Sequence, residues 1–151
     1  MFNSEKTKIT GKVNVLVTDK DGKVKEDFTV PNLVVTSGLD YIASRMKEAT
    51  ATAMSHMAVG TDTTAAALGD TALGAEVSGA RVTLDDTVVA PDDNNVVYTA
   101  TFPAGTGSAA LTEAGIFNAS SSGTMLCRTV FDVINKQAAD TMTVTWTITI
   151  S

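Results

Sequence analysis

The stretch TMTVTWTITIS, residues 141–151, decides the fold class. Threonine occupies every odd position from 141 to 149, whereas the even positions are apolar. Successive side chains of a β-strand point to opposite faces of the sheet, so the alternation predicts a strand with one buried face and with Trp146 in the core. The threonine face carries no charge, and an unpaired edge of this kind would recruit other chains. We therefore expect this strand to lie centrally in a sheet, beside threonine-rich neighbours such as YTATF, or to pair across a subunit boundary.

Four further strand-like runs precede it from residue 81 onward. They are RVTLDDTVVA, VVYTATFPA, AALTEAGIFNA and TMLCRTVFDVI, and the turn sequences PDDNN, GTGS, SSSG and NKQAAD separate them. Near the N-terminus, TKITGKVNVLVTD and VKEDFTV flank the turn sequence DKDGK and predict a hairpin. Strands at a spacing of about ten residues indicate a mainly β fold, an antiparallel β-sandwich or a barrel-like sheet.

One segment after Pro31 has a different period. Its apolar positions, at spacings of three and four residues, are Leu39, Ile42, Ala43 and Met46. They predict an amphipathic helix over about residues 38–48 with these side chains toward the core. Ser37 followed by Asp40 resembles a capping box in which Asp replaces Glu.

Length and composition indicate one globular domain. The chain has 151 residues, 44% hydrophobic and 19% charged, and we divide it into an N-terminal hairpin or arm, 1–31, and a body of helix plus sandwich, 32–151. No apolar run has the length of a membrane span and no secretory signal is visible, so we expect folding in a cytoplasm. The net charge of −6 would repel phosphates, which disfavours nucleic acid as a partner.

Residues 61–79 form a long stretch rich in Ala, Thr and Gly with no sustained period, after a short strand that ends at Gly60. In a compact domain, a long loop without its own secondary structure is usually functional. We predict that it is an interface loop. The candidate interface residues are Thr61, Thr63, Thr64, Leu68, Asp70 and Leu73.

The sequence offers little catalytic chemistry. No nucleophile elbow, phosphate-binding loop or zinc spacing occurs, so we expect no enzyme activity, catalytic residue, cofactor or metal site. His56 is interpreted as a structural histidine and Cys127 as a small core residue. Four carboxylates near one predicted hairpin are interpreted as solvated loop residues rather than an acid/base pair. They are Asp85, Asp86, Asp92 and Asp93.

The order of several motifs resembles a family of small structural proteins of tailed bacteriophages. NLVVTSGLDYIASRM, HMAVGTDTTAAALGDTALGAEV, VVYTATF, LTEAGIFNASSSGTMLCRTVF and TMTVTWTITI follow one another over roughly residues 32–150. The loop departs from the family pattern by reading GTDTT where the family has GTGTT. The matching positions are Gly60, Thr61, Asp70, Thr71, Leu73, Glu76, Glu113, Ala114, Gly115, Phe117 and Trp146.

The resemblance implies a non-enzymatic virion component, made in the host cytoplasm and assembled with the major capsid protein or other virion proteins. We favour a capsid decoration (cement) protein that binds the head lattice symmetrically, as a homotrimer. A tail-fibre or neck appendage protein is the alternative, although neither heptads nor repeats are present. A carbohydrate-binding module is a third reading, for which the aromatic content of 5% gives a thin platform.

Overall fold

The computed structural model describes residues 5–47, 50–90 and 94–151. Two five-stranded antiparallel sheets form a β-sandwich, with strand orders β2-β1-β10-β7-β6 and β3-β9-β8-β4-β5. The predicted mainly β sandwich with one helix is therefore confirmed. The strands are β1 (Ile9–Thr18), β2 (Val24–Pro31), β3 (Leu33–Val34), β4 (His56–Gly60), β5 (Val82–Thr83), β6 (Asp86–Ala90), β7 (Asn95–Phe102), β8 (Ala110–Phe117), β9 (Met125–Asn135) and β10 (Thr141–Ile150).

The closing strand β10 lies in the middle of the first sheet, as predicted. It pairs with β1 on one side and with β7 on the other, so that Trp146 is flanked by Val13 and Tyr98. Its apolar positions from Met142 to Ile148 are buried between the sheets, and Trp146 is 0% exposed. The threonine face is half-buried, and most of the side chains beside it on the two neighbouring strands are polar. Central placement pairs both edges of the strand and removes the aggregation hazard that the sequence raised.

The core fills the space between the two sheets. Val13, Val15 and Val17 of β1 contribute from the first sheet, and Ile116 and Cys127 contribute from the second. Cys127 is the small core residue that the sequence predicted, and burial raises the pKa of its thiol well above 9.0. The predicted N-terminal hairpin is also present, because Asp19 accepts hydrogen bonds from the N–H groups of Asp21 and Lys23 across the turn.

The helix differs from its prediction in extent and in its buried face. Helix α1 spans Thr36–Ser44 rather than 38–48, and Glu48 lies outside the described residues. Its buried residue is Gly38, where a Cβ would stand 2.0 Å from the carbonyl oxygen of Leu126. The helix thus contacts β9 through its glycine, which permits a close backbone approach that a side chain would prevent.

That close approach sets which side chains of the helix face the core. Tyr41 and Ile42, three and four residues after Gly38, pack against the core. The other predicted core positions are wrong: Leu39 is 39% exposed, Met46 is 89% exposed and lies after the helix, and Ala43 is exposed.

The predicted capping box is also wrong. The N-cap is Val35, which makes no side-chain capping bond. The Ser37 hydroxyl instead donates to the carbonyl oxygen of Met125 at 3.0 Å, and Asp40 is exposed. Ser37 is held by the sheet beneath the helix, so its hydroxyl is unavailable to the helix terminus.

The run RVTLDDTVVA is two strands rather than one. The backbone N–H of Leu84 donates to the carbonyl oxygen of Ser55, just before β4 of the second sheet, whereas the N–H of Asp85 donates to that of Thr99 in the first sheet. The chain therefore crosses from one sheet to the other between residues 84 and 85. Neither Gly nor Pro marks this crossing in the sequence, which explains why the pattern alone predicted a single strand.

The turn NKQAAD contains a buried lysine. Lys136 is 2% exposed, and its ammonium group donates to the carbonyl oxygens of Pro103 and Asp140. Burial lowers the pKa of Lys136, and the nearby Asp140 carboxylate opposes that shift. Asp140 in turn pairs with Lys25, so this turn is held against the edge strand β2 of the first sheet.

Candidate interaction loop

The loop of residues 61–79 joins β4 to β5 and contains no helix or strand. Its two ends meet, because Thr61 N–H donates to Ala75 and Val77 N–H donates to Val59. Gly60 and Glu76 form an isolated bridge at the same place. The loop therefore leaves the end of β4 and returns to the same place, where main-chain hydrogen bonds hold its two ends together.

The Glu113 carboxylate binds the inside of this loop. Glu113 lies on β8 and is 0% exposed. Its Oε1 accepts hydrogen bonds from the backbone N–H groups of Ala75 (2.8 Å) and Asp62 (3.3 Å), and its Oε2 accepts one from Gly74 at 3.0 Å. A carboxylate can satisfy several donors at once, so one side chain replaces the strand pairing that the loop lacks.

Arg128 of β9 completes this arrangement with three carboxylates. Its guanidinium contacts Glu113 Oε2 at 2.8 Å, Asp70 Oδ2 at 2.9 Å and Asp62 Oδ2 at 3.2 Å. We call these four side chains the Arg128 cluster. The planar guanidinium presents several donors in fixed directions, which suits it to join two points of a loop to a buried glutamate.

The pKa values of Arg128 and Asp62 are shifted toward the ionised form of each group. Burial lowers the pKa of Arg128, but the hydrogen bonds and charges of Glu113 and Asp70 outweigh burial, and the net shift is upward. The backbone N–H of Thr64 is the main reason that the pKa of Asp62 lies below its usual 3.8. Both shifts favour the charged forms, so Arg128 and Asp62 attract each other as ions near neutral pH.

Two glycines make room for these carboxylates. A Cβ at Gly74 would stand 1.9 Å from Asp62 Oδ2, and one at Gly60 would stand 2.3 Å from Glu113 Oε1. Neither distance can be accommodated without moving the carboxylate. The glycines are therefore required by the close approach of the loop backbone to the cluster.

A second arginine fixes the end of the loop. Arg81 makes two hydrogen bonds to the Glu76 carboxylate, at 2.9 and 2.8 Å, and donates to the carbonyl oxygens of Ala119 and Ser122. Its guanidinium carbon lies 3.9 Å from the centre of the Phe117 ring. This stacking on an aromatic face adds a cation–π contact to the ion pair.

The loop also covers the outer face of the second sheet. Leu73 is 8% exposed and belongs to a small apolar cluster with Phe117 and Met125. Its Cδ2 would lie 3.0 Å from a Cβ at Gly115. Seven consecutive residues of β8, from Leu111 to Phe117, are consequently buried, because the core covers one face of the strand and the loop covers the other.

The six candidate interface residues divide into two groups. Thr61, Thr63 and Thr64 are exposed, and Leu68 is 55% exposed. Asp70 is instead paired with Arg128 and Leu73 is buried, so these two hold the loop in place. The exposed group forms an uncharged surface on a loop of fixed shape.

A concavity of about 310 Å³ lies beside this surface. Thr63, Ala65 and Ala66 of the loop line one side, and residues of β3 and β9 line the other. Small side chains at the rim allow a partner's backbone or side chain to approach closely. The arrangement is suited to contact with another protein along a preformed surface.

The remaining candidate residues lie away from the loop. His56 is half-buried in β4, with its Nδ1 2.8 Å from the Ser55 hydroxyl. Asp85 and Asp86 are exposed, whereas Asp92 and Asp93 lie outside the described residues. Across residues 5–47, 50–90 and 94–151, no group of three His, Cys, Asp or Glu side chains could hold a metal ion. Over the same ranges, no helix is long and apolar enough to cross a membrane.

Sequence reasoning missed Arg81, Arg128 and the role of Glu113. The sequence signal for these residues is an isolated charge within a strand-like run, as in LTEAGIF and TMLCRTVF, or at the start of one. A charge within such a run must find a partner if both faces of the strand are buried. Comparisons with protein-family models, with curated proteins and with solved structures find no match to this chain.

Proposed function

We propose that this chain is a non-enzymatic structural protein of a bacteriophage virion, acting as a capsid decoration protein that stabilises the head. The observation that supports this most is the 61–79 loop, which is held in one shape from the inside while its exposed side chains, apart from Glu76, carry no charge. A surface ordered in advance loses little conformational entropy on binding, so modest contacts can give useful affinity. The proposal also draws on the motif resemblance, several of whose positions lie in or under this loop.

Buried carboxylates of the described residues are already engaged, which favours a structural role over catalysis. Glu113 accepts from three backbone N–H groups and from Arg128. Asp140 accepts from Gln137 N–H and pairs with Lys25. A general acid or base must be able to exchange its proton with a substrate, and both oxygens of Glu113 are already taken by other donors.

The proposed partner is the major capsid protein, with the protein bound as a homotrimer on the symmetric head lattice. Repetition over a lattice turns weak individual contacts into high occupancy. Binding only to the assembled shell would stabilise that shell by mass action. The mature location would be the virion, after synthesis in the host cytoplasm.

The test compares particles that lack the protein with particles to which purified protein is added back. We expect the depleted particles to lose DNA at a lower temperature and the added protein to restore resistance. Protein carrying Leu68→Asp should fail to restore resistance, whereas the control Val133→Asp should restore it. Leu68 and Val133 are both 55% exposed. Normal particle stability together with lost adsorption to host cells would reject decoration and favour the tail-fibre or neck alternative.

A further inference from the structure

The four edge strands of the sandwich differ in how they are protected. Strands β3 and β5 have two residues each, which leaves little free edge. Strand β2 carries Lys25, Glu26 and Asp27 along its middle and ends at Pro31. Short length, charge and proline are the usual means by which sheet edges avoid pairing with other chains.

Strand β6, Asp86–Ala90, is longer than β3 and β5 and carries neither charge nor proline after its first residue. Among the strands of the described residues it pairs only with β7, so main-chain groups on its other side have no strand partner there. Thr87 N–H donates to the Asp86 carboxylate at 2.8 Å, a bond that a pairing strand would replace. Its middle residues are apolar and open to solvent, with Val88 49% and Val89 64% exposed. Val88 and Val89 are successive residues, so both faces of this edge present an apolar side chain.

We propose that β6 pairs antiparallel with β6 of a second copy of this chain, about a two-fold axis at Val88. Each Val88 then lies opposite the Val88 of the second copy, and Thr87 lies opposite its Val89. The two first sheets join into one continuous sheet of ten strands. Such a contact is isologous, because both copies contribute the same strand.

Charge selects this arrangement over a parallel one. The described carboxylates at this edge, Asp85 and Asp86, stand at one end of the strand. An antiparallel partner places them at opposite ends of the joint, whereas a parallel partner in register would bring like charges together, which is destabilising. The central pairs across the axis are uncharged.

Net charge predicts how salt affects the contact. Each copy carries a net charge of −6, so two copies repel at low ionic strength. Because salt screens this repulsion and leaves the apolar and main-chain contacts in place, association should strengthen as salt rises. An ion-pair interface would show the opposite trend.

This inference is separate from the proposed function. The exposed side chains of the 61–79 loop and strand β6 are different surfaces, and a trimer formed elsewhere would still carry one free β6 edge per subunit. Decoration could therefore fail its test while the β6 contact passes, and the reverse also holds.

The first experiment introduces one cysteine at the axis. Residues directly opposite in an antiparallel pair have Cα atoms about 4.5 to 5.5 Å apart, within the disulfide range of about 4.4 to 6.8 Å. Oxidised Val88→Cys should form a covalent dimer at least about tenfold faster than Val133→Cys, its equally accessible control, because only the first pair is held at bonding distance. Wild type controls for Cys127, which is buried.

The second experiment tests the two-fold register by charge. Val88→Lys and Val88→Glu should each weaken self-association, measured by sedimentation, by about tenfold or more, because like charges then face each other across the axis. An equimolar mixture of the two variants should associate again as a Lys–Glu heterodimer. Equal crosslinking at positions 88 and 133, association that Val88→Lys leaves unchanged, or no recovery in the mixture would each overturn the proposal.

Discussion

Replacing Glu113 with glutamine tests whether one buried carboxylate holds the 61–79 loop. Glutamine has the same shape as glutamate but presents one acceptor oxygen and one NH₂ donor group. In the native protein Oε1 faces the N–H groups of Asp62 and Ala75, and Oε2 faces Gly74 N–H and the Arg128 guanidinium. Either orientation of the amide therefore turns a donor toward at least two other donors.

The expected cost of Glu113→Gln follows from these orphaned groups. Each buried donor without an acceptor costs about 1 to 3 kcal/mol, and two such donors give about 2 to 6 kcal/mol. Breaking a buried ion pair by removing one partner costs about 3 to 5 kcal/mol, which falls within that range. We therefore expect the free energy of unfolding to fall by about 3 to 5 kcal/mol, or the loop to detach locally if that costs less.

Two measurements separate these outcomes. Urea unfolding followed by fluorescence reports the whole core, since Trp146 is the single tryptophan and is fully buried. Brief digestion with thermolysin reports the loop, whose apolar residues become cleavable when it detaches. Glu26→Gln, an exposed glutamate on β2, is the matched control and should change neither readout. A loss below about 1 kcal/mol with unchanged digestion would refute the reasoning, because two orphaned donors cannot cost less.

Three further predictions concern the loop and the core. Gly74→Ala should destabilise the protein by about 1 to 3 kcal/mol, because the new Cβ displaces the Asp62 carboxylate. The control Gly69→Ala, with open space around its Cβ, should have little effect. Equal losses of stability in denaturant unfolding would contradict the close-approach argument. Trp146→Ala should cost about 3 to 5 kcal/mol and Thr145→Ala far less, and a tryptophan loss below about 1 kcal/mol would mean that the core parity is misassigned. In the folded protein the pKa of Asp62 lies below its usual 3.8. The stability that its ionised form contributes is therefore present above that pH and is lost as the pH falls through the folded pKa. Digestion of the loop, measured over a series of acid pH values, should show this loss, and an unchanged profile for Asp62→Asn would contradict it.

The strands were largely predictable because their signal is local. Alternation in residues 141–150 and in β1 follows from the geometry of a single strand, and the turn DKDGK carries its own hydrogen-bonding side chain in Asp19. The same local reasoning failed where a contact from elsewhere decided the outcome. Helix α1 turned its glycine rather than its leucine toward the sheet, because Leu126 of β9 lies directly beneath it.

The candidate loop was recognised from sequence, but its mode of attachment was not. A missing period over 61–79 marks a loop and says nothing about what holds it. Asp62, Asp70, Glu113 and Arg128 span 66 positions of the chain between the first and last of them, and no spacing rule links such distant residues.

The sequence by itself determined the class of this protein, a mainly β chain whose last strand buries its tryptophan, since this depends on side-chain parity along one segment. The tertiary structure decided that this strand lies in the middle of a sheet rather than at a subunit boundary. Only the tertiary structure decided which charges meet. It placed Glu113 and Arg128 on the paired strands β8 and β9 and folded the loop over them, so that burial made their pairing obligatory. It also left β6 as the one apolar edge among the described strands. The chain reaches this edge by changing sheets between Leu84 and Asp85, a step that the sequence pattern does not reveal.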